Sequence, residues 1–93
     1  MKKNLSFQLR VSVERRTGRL LAVYLQVREG KAERVIELSH GKAFANYTRR
    51  GKLLGIELLG PCEIDVFDEI TKEEPEEIRQ FFLRSAPRDM VLA

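Results

Sequence analysis

Residues 20–27 read LLAVYLQV, the longest stretch of the chain without a charged side chain. Apolar side chains fill both alternating sets of positions, and in a strand those two sets face opposite sides of the sheet. Such a strand must be shielded from water on both sides. The stretch therefore predicts a strand at the centre of a sheet, with the rest of the chain arranged around it.

Short glycine-containing turns separate this stretch from four other candidate strands. Residues 5–13 alternate between apolar and polar side chains, which predicts a strand with one wet face, and Gly18 lets the chain turn back as a hairpin. Three further strands are predicted over residues 32–38, 43–48 and 53–59. Connections this short join antiparallel neighbours, because a parallel crossover needs a dozen or more residues.

The chain changes character at Pro61, since proline lacks the amide that a strand ladder requires. Residues 64–70 predict a short helical turn, and residues 75–85 predict a helix. Its apolar side chains have helical spacing and would lie on the sheet; they are Ile78, Phe81 and Phe82.

These elements predict one α+β domain over residues 1–93. A five-stranded antiparallel sheet, a meander or a half-barrel, would occupy residues 1–60, and residues 61–93 would form a helical extension packed on one face. The 93 residues are 43% hydrophobic and 33% charged, which is typical of a globular protein and not of a disordered chain.

Several features favour a cytoplasmic protein without membrane association. The single cysteine, Cys62, cannot form an internal disulfide, and Arg10 interrupts the N-terminal segment before a signal-peptide core can form. No apolar run approaches the ~20 residues needed to span a bilayer.

Charge is distributed unevenly along the chain. Residues 1–53 carry 13 basic and 4 acidic side chains, a net +9, and residues 54–93 carry 4 and 10, a net −6. Two surfaces that complement each other, within or between chains, are the favoured interpretation. A nucleic-acid footprint is the alternative, although the basic residues are spread over turns and not packed into one run.

The sheet segment also carries a family resemblance. It rests on the sequence LAVYLQVREGKA over residues 21–32, on Tyr47, Gly51 and Leu53, and on GIELL over residues 55–59. In these features the chain resembles the prokaryotic domain-of-unknown-function family numbered 2283, over about residues 11–60. The resemblance implies a small, mainly antiparallel sheet and no established activity. Members commonly read Tyr-Asp-Pro before the central strand, where this chain has Val-Glu-Arg and a longer tip.

No catalytic, metal or cofactor constellation is found. His40 and Cys62 are the only histidine and cysteine, too few for a usual zinc site, and we expect Cys62 to be a small buried residue. Ser39 and His40 are adjacent and are interpreted as a polar turn. Glu57 is the candidate perturbed carboxylate around which an enzyme would be built, because it is expected to share its side of the strand with Leu53, Gly55 and Leu59. A cross-strand ion pair, with a cation such as Arg34 or Lys52, or an edge-strand charge is the favoured interpretation. The chain is therefore expected not to be an enzyme.

Two surfaces are candidates for binding. In an antiparallel meander the turns after the first and fourth strands are expected at the same end of the sheet, where their six cations would form one nucleic-acid or partner patch; they are Arg15, Arg16, Arg19, Arg49, Arg50 and Lys52. Solvated hairpin tips are the favoured interpretation of these residues. One helix covers only one side of the sheet, so a second semi-apolar side needs a cover. Its residues are Leu20, Ala22, Tyr24, Ala45, Tyr47 and Leu59.

A face-to-face homodimer would cover that second side, as would curling of the sheet into a half-barrel, and the homodimer is favoured. The resulting prediction is a non-enzymatic protein-interaction module, with an antitoxin-like pair as one setting. Nucleic-acid binding through the basic turns is the alternative.

Overall fold

The structure, a computed structural model, describes residues 4–92 and is an α+β fold. Five strands form one antiparallel sheet: β1 (Gln8–Val13), β2 (Leu20–Gln26), β3 (Arg34–Leu38), β4 (Ala43–Tyr47) and β5 (Leu53–Leu58). The remaining elements are β6 (Cys62–Glu63), α1 (Asp65–Ile70), α2 (Glu76–Ser85), a 3-10 turn (Arg88–Met90) and β7 (Val91–Leu92). The predicted sheet and C-terminal helix are confirmed.

The strand order is β1-β2-β5-β4-β3, so the sheet is open and is not a meander. The central strand is β5, and β2 lies one place away from it, which corrects the prediction made from residues 20–27. Burial agrees with this order: Leu53, Leu54, Ile56 and Leu58 of β5 are all buried. β5 takes the centre because it is shielded at nearly every position, whereas β2 is fully buried on one side only.

The connection from β2 to β3 is a crossing and not the predicted tight turn. Residues 27–33 run past the ends of β5 and β4 to reach the far edge of the sheet. Backbone hydrogen bonds hold this connection, with the Val27 amide donating to the Leu54 carbonyl and the Glu33 amide donating to the Tyr47 carbonyl. The sheet therefore consists of a β1–β2 hairpin and a β3–β4–β5 unit joined between β2 and β5.

Two bulges change which residues share a face. Ser12 pairs with Ala22 but Val13 pairs with Leu20, so Leu21 is an extra residue in β2. Asn46 pairs with Gly55 but Tyr47 pairs with Leu53, so Leu54 is an extra residue in β5. Each insertion shifts the inward and outward alternation by one position.

One face of the sheet, here called the helix-bearing face, carries the core. The rings of Phe67 in α1 and Phe82 in α2 lie 5.6 Å apart there. Ile78 of α2 and Met90 of the 3-10 turn join the same cluster. The sheet contributes Val23, Leu25, Ala43, Ala45, Leu53, Ile56 and Leu58, and the cluster also includes Val27, just after β2, and Cys62 of β6.

The C-terminal segment is tied back to the end of the sheet. β7 pairs in parallel with β6, with Cys62 opposite Val91 and Glu63 opposite Leu92. The Ile64 amide also donates to the Leu92 carbonyl at 3.0 Å. Between residues 4 and 92, no helix is long and apolar enough to cross a membrane.

Candidate functional site

The six turn cations do not form one patch. The first three cations, Arg15, Arg16 and Arg19, lie in or beside the β1–β2 turn. This turn is near the C-terminal end of β5, because Val23, close to the start of β2, pairs with Leu58. The other three follow β4 and lie at the start of β5. Successive turns of an antiparallel sheet alternate between its two ends, and this places the two groups apart. Nucleic-acid binding stays a prediction, now resting on two separate groups of three cations.

Each basic turn is held by local hydrogen bonds. In the first, the backbone amide and the hydroxyl of Thr17 both donate to a Glu14 carboxylate oxygen at 2.9 Å, and these bonds lower the pKa of Glu14. In the second, the Lys52 amide donates to the Thr48 hydroxyl at 3.1 Å, and Gly51 takes the positive φ of 88° that the turn requires.

The predicted partner face is divided between the two sides of the sheet. Ala45 is fully buried on the helix-bearing face, and Leu20 and Tyr47 pack against the same core. Burial also raises the pKa of the Tyr47 phenol. Of the six residues, Ala22 and Tyr24 of β2 lie on the opposite side of the sheet, and Leu59 is exposed just after β5. The six residues therefore do not form one surface.

The side without helices, here called the open face, is a mixed polar and aromatic surface. Tyr24, Glu57 and Phe44 lie side by side across β2, β5 and β4, and all three are half-buried. Arg10 extends the row on β1, where its guanidinium lies 5.0 Å from the centre of the Tyr24 ring. Its terminal nitrogen also donates to the Gln26 amide oxygen at 3.2 Å.

Glu57 lies on this open face and shares it with Gly55, not with Leu53 as expected, because the Leu54 bulge intervenes. Within residues 4–92 its carboxylate makes neither of the expected ion pairs, with Arg34 or with Lys52. Glu37 lies in the same row, but Phe44 separates it from Glu57. No second carboxylate is therefore paired with Glu57 for acid and base work.

The remaining candidates behave as structural residues. Cys62 is fully buried, as predicted, and burial raises the pKa of its thiol. His40 is exposed in the β3–β4 turn, where it and Ser39 take positive φ values of 55° and 54°. Among residues 4–92, no three histidine, cysteine or acidic side chains are grouped closely enough to hold a metal ion.

The most unusual surface is one that the sequence interpretation missed, the apolar side of edge strand β1. Leu9, Val11 and Val13 lie opposite Leu25, Val23 and Leu20, so they point to the helix-bearing face. They nevertheless remain 49%, 55% and 50% exposed. The period-two pattern correctly places these side chains on one side, but it does not reveal that the helices leave them uncovered.

The helices reach β1 only at its beginning. The ring of Phe7, just before β1, stacks on Phe81 of α2 with ring centres 4.8 Å apart, and Leu5 packs against the core. Every residue of β1 itself is exposed. The uncovered strip formed by Leu9, Val11 and Val13, here called the β1 strip, is thus continuous with the core and open to solvent.

The β1 strip coincides with a free sheet edge. β1 pairs with β2 on one side, and no strand of residues 4–92 pairs with its other side. Its only charged side chain is Arg10, and it contains no proline. Edge strands that avoid pairing usually carry proline or several charges, and β1 lacks that protection.

Comparisons with known proteins do not assign this surface: no family model, no curated protein and no solved structure matches the chain. The resemblance to the domain-of-unknown-function family stays a prediction from the sequence.

Proposed function

We propose that this chain is a non-enzymatic protein-interaction module of the cytoplasm, which binds a protein partner by adding a strand to the free edge of β1. The observation that carries the proposal is the β1 strip, three half-exposed apolar side chains on an unpaired edge strand. An added strand would satisfy the outward backbone groups of β1 and cover the strip in one step.

The approximate free energies of burying the β1 strip and pairing its backbone favour a specific but reversible interaction. Covering the exposed half of a valine or leucine contributes about 1 kcal/mol, so the three side chains of the strip contribute about 3 kcal/mol. Backbone pairing along six residues adds hydrogen bonds of modest net value, about 1 kcal/mol each. Part of this total offsets the entropy lost on association.

The experiment compares two edge variants in affinity capture from a lysate of the protein's own source, with and without nuclease. Val11→Lys places a charge in the middle of the β1 strip. Val35→Lys is the matched control, because Val35 is 59% exposed on the other edge strand, β3. Both substitutions replace an exposed valine at a sheet edge.

The expected result is a stoichiometric protein, either a different protein or untagged copies of the chain itself, that survives nuclease. It is retained by Val35→Lys and lost with Val11→Lys. Equal capture by both variants would contradict the proposal. Material that disappears with nuclease would instead support the basic turns as the binding surface.

A further inference from the structure

We infer that the strand added to β1 (Gln8–Val13) is β1 of a second copy of this chain, antiparallel to the first, with Val11 on the twofold axis. The inference rests on the proposed function, because it names the partner of the same edge. A twofold axis perpendicular to the sheet pairs the two strands and keeps both helix-bearing faces on the same side.

The apolar pattern of β1 is complementary to itself in this register. Val11 lies opposite Val11 of the second copy, and Leu9 lies opposite its Val13. All three side chains already point to the helix-bearing face, so the two strips join into one row of six apolar side chains. Directly opposed apolar side chains are the pairs that stabilise antiparallel sheets.

The charges of β1 also permit this register. Arg10 lies opposite Ser12 of the second copy, and Gln8 lies opposite its Glu14, so like charges do not meet. Arg10 is already held against the Tyr24 ring and hydrogen-bonded to Gln26 within its own chain, which keeps its guanidinium on the open face.

The two neighbouring registers are less favourable. Centring the pair on Arg10 would place two guanidinium groups directly opposite each other, which destabilises the pairing. Centring it on Ser12 would leave only three strand residues paired and would place Leu9 opposite Arg15 in the turn. The Val11 register alone pairs the whole β1 strip with itself.

The other edge strand does not have this property. Pairing β3 with itself about Ile36 would place Glu37 opposite Val35 and Arg34 opposite Leu38, so that a charge faces an apolar side chain in each case. Pairing it about Val35 would bring Glu37 opposite Glu33. Self-association is therefore expected at β1 and not at β3.

Single cysteine substitutions test the register directly. Opposed residues in an antiparallel pair are about 4.5 to 5.5 Å apart at Cα, which a disulfide spans. Arg10→Cys, Val11→Cys and Ser12→Cys would be oxidised mildly in separate samples and examined without reductant. The wild-type chain is the background control because its own Cys62 is buried, and Ile36→Cys is the control for the β3 edge.

We expect Val11→Cys to give the most covalent dimer, with little from the Arg10 and Ser12 variants and none from the two controls. A dominant Arg10 or Ser12 cross-link would overturn the Val11 register. Each variant is first checked for its circular dichroism spectrum and melting temperature, so that a cross-link between unfolded chains is recognised.

Light scattering over a concentration series tests the dimer without covalent cross-linking. The expected result is twice the mass of one chain for the wild type and for Val35→Lys. For Val11→Lys, two like charges at the axis should raise the dissociation constant more than about tenfold. Retention of the dimer in Val11→Lys would overturn the inference.

The failure of this inference is distinguishable from failure of the proposed function. A monomeric wild type that captures a different protein in a Val11-dependent way overturns self-pairing and supports the interaction module. A monomeric wild type without any Val11-dependent capture overturns both.

Discussion

Gly55 allows Tyr24 to lie across the central strand. A Cβ atom at this position would lie 2.8 Å from the Tyr24 hydroxyl oxygen, 2.9 Å from its Cζ atom and in contact with the Leu25 carbonyl oxygen. Cβ atoms do not normally approach other atoms this closely. The open face therefore depends on glycine at one position of β5, which fits the role of strand glycines in permitting close approach.

We predict that Gly55→Ala lowers the free energy of unfolding by about 2 kcal/mol, the usual cost of inserting a methyl group where no space exists. Gly60→Ala is the matched control. An added Cβ at Gly60 would meet only the flexible Lys42 side chain, at 3.4 Å or more, so its effect should stay within about 0.5 kcal/mol. Urea denaturation measures both, and equal stabilities would contradict the packing described for Tyr24.

Cys62 provides a pH-dependent prediction. Burial raises the pKa of its thiol, so the folded chain keeps the proton at pH values where the unfolded chain has lost it. The folded state therefore binds more protons than the unfolded state. As a result, the free energy of unfolding falls as pH rises above about 8.5, the pKa of an exposed thiol. Cys62→Ala should remove this part of the decline. Urea denaturation from neutral to alkaline pH checks it, and parallel pH profiles for the two proteins would contradict it.

At the scale of the elements, β7 and the 3-10 turn fasten the helical segment to the end of the sheet. Met90 is 5% exposed within the core cluster, whereas Leu92, two residues later, is 48% exposed. The parallel β6–β7 pair is too short to be stable alone. Its persistence therefore depends on burial of Met90.

We expect Met90→Ala to destabilise the fold by about 2 kcal/mol, the lower end for removing a buried methionine side chain. Leu92→Ala should cost no more than about 0.5 kcal/mol, because half of its side chain is already in water. Thermal unfolding compares the two variants. A larger effect from Leu92 than from Met90 would mean that strand pairing, and not core packing, fastens this segment.

The alternation of side chains predicted the elements well but not their neighbours or faces. All five sheet strands and α2 lie within a few residues of the predicted bounds. Alternation does not specify which strands pair, and it therefore does not identify β5 as the centre of the sheet. It also does not reveal bulges: the extra residue Leu21 moves Leu20 to the helix-bearing face, and Leu54 removes Leu53 from the side of Glu57.

The candidate site was harder to predict for a related reason. The pattern over residues 5–13 places Leu9, Val11 and Val13 on one side, and one apolar side normally implies burial. Whether a helix covers that side depends on the length and position of α1 and α2, which span only six and ten residues. The β1 strip is a consequence of this limited cover and is not encoded in β1 itself.

At the scale of the whole molecule, an ion pair between Arg28 and Glu74 joins the basic and acidic parts of the chain. The Arg28 guanidinium, after β2, lies 2.8 Å from the Glu74 carboxylate, before α2, and both side chains are mostly buried. Arg28 also donates to the Leu53 carbonyl at 2.8 Å. This contact agrees with the interpretation that the two halves carry complementary surfaces.

We predict that Arg28→Met lowers stability by about 2 to 3 kcal/mol, because it leaves the Glu74 carboxylate and the Leu53 carbonyl without their partner. Adding Glu74→Met should restore part of the loss, since the uncompensated charge is then gone. Lys72→Met is the control, because the Lys72–Glu69 pair is exposed and contributes little. A double variant no more stable than Arg28→Met would contradict this account.

The position of β5 has a consequence for synthesis of the chain. β5 is the last strand of the sheet to leave the ribosome, yet β2 and β4 both pair with it. The β1–β2 and β3–β4 hairpins can form as they emerge, but they have no shared neighbour until residue 58 is free. A nascent chain therefore carries two open inner edges for as long as translation of β5 is incomplete. The five-stranded sheet is completed in one step, when its middle strand arrives, and the helices that cover it follow later in the chain.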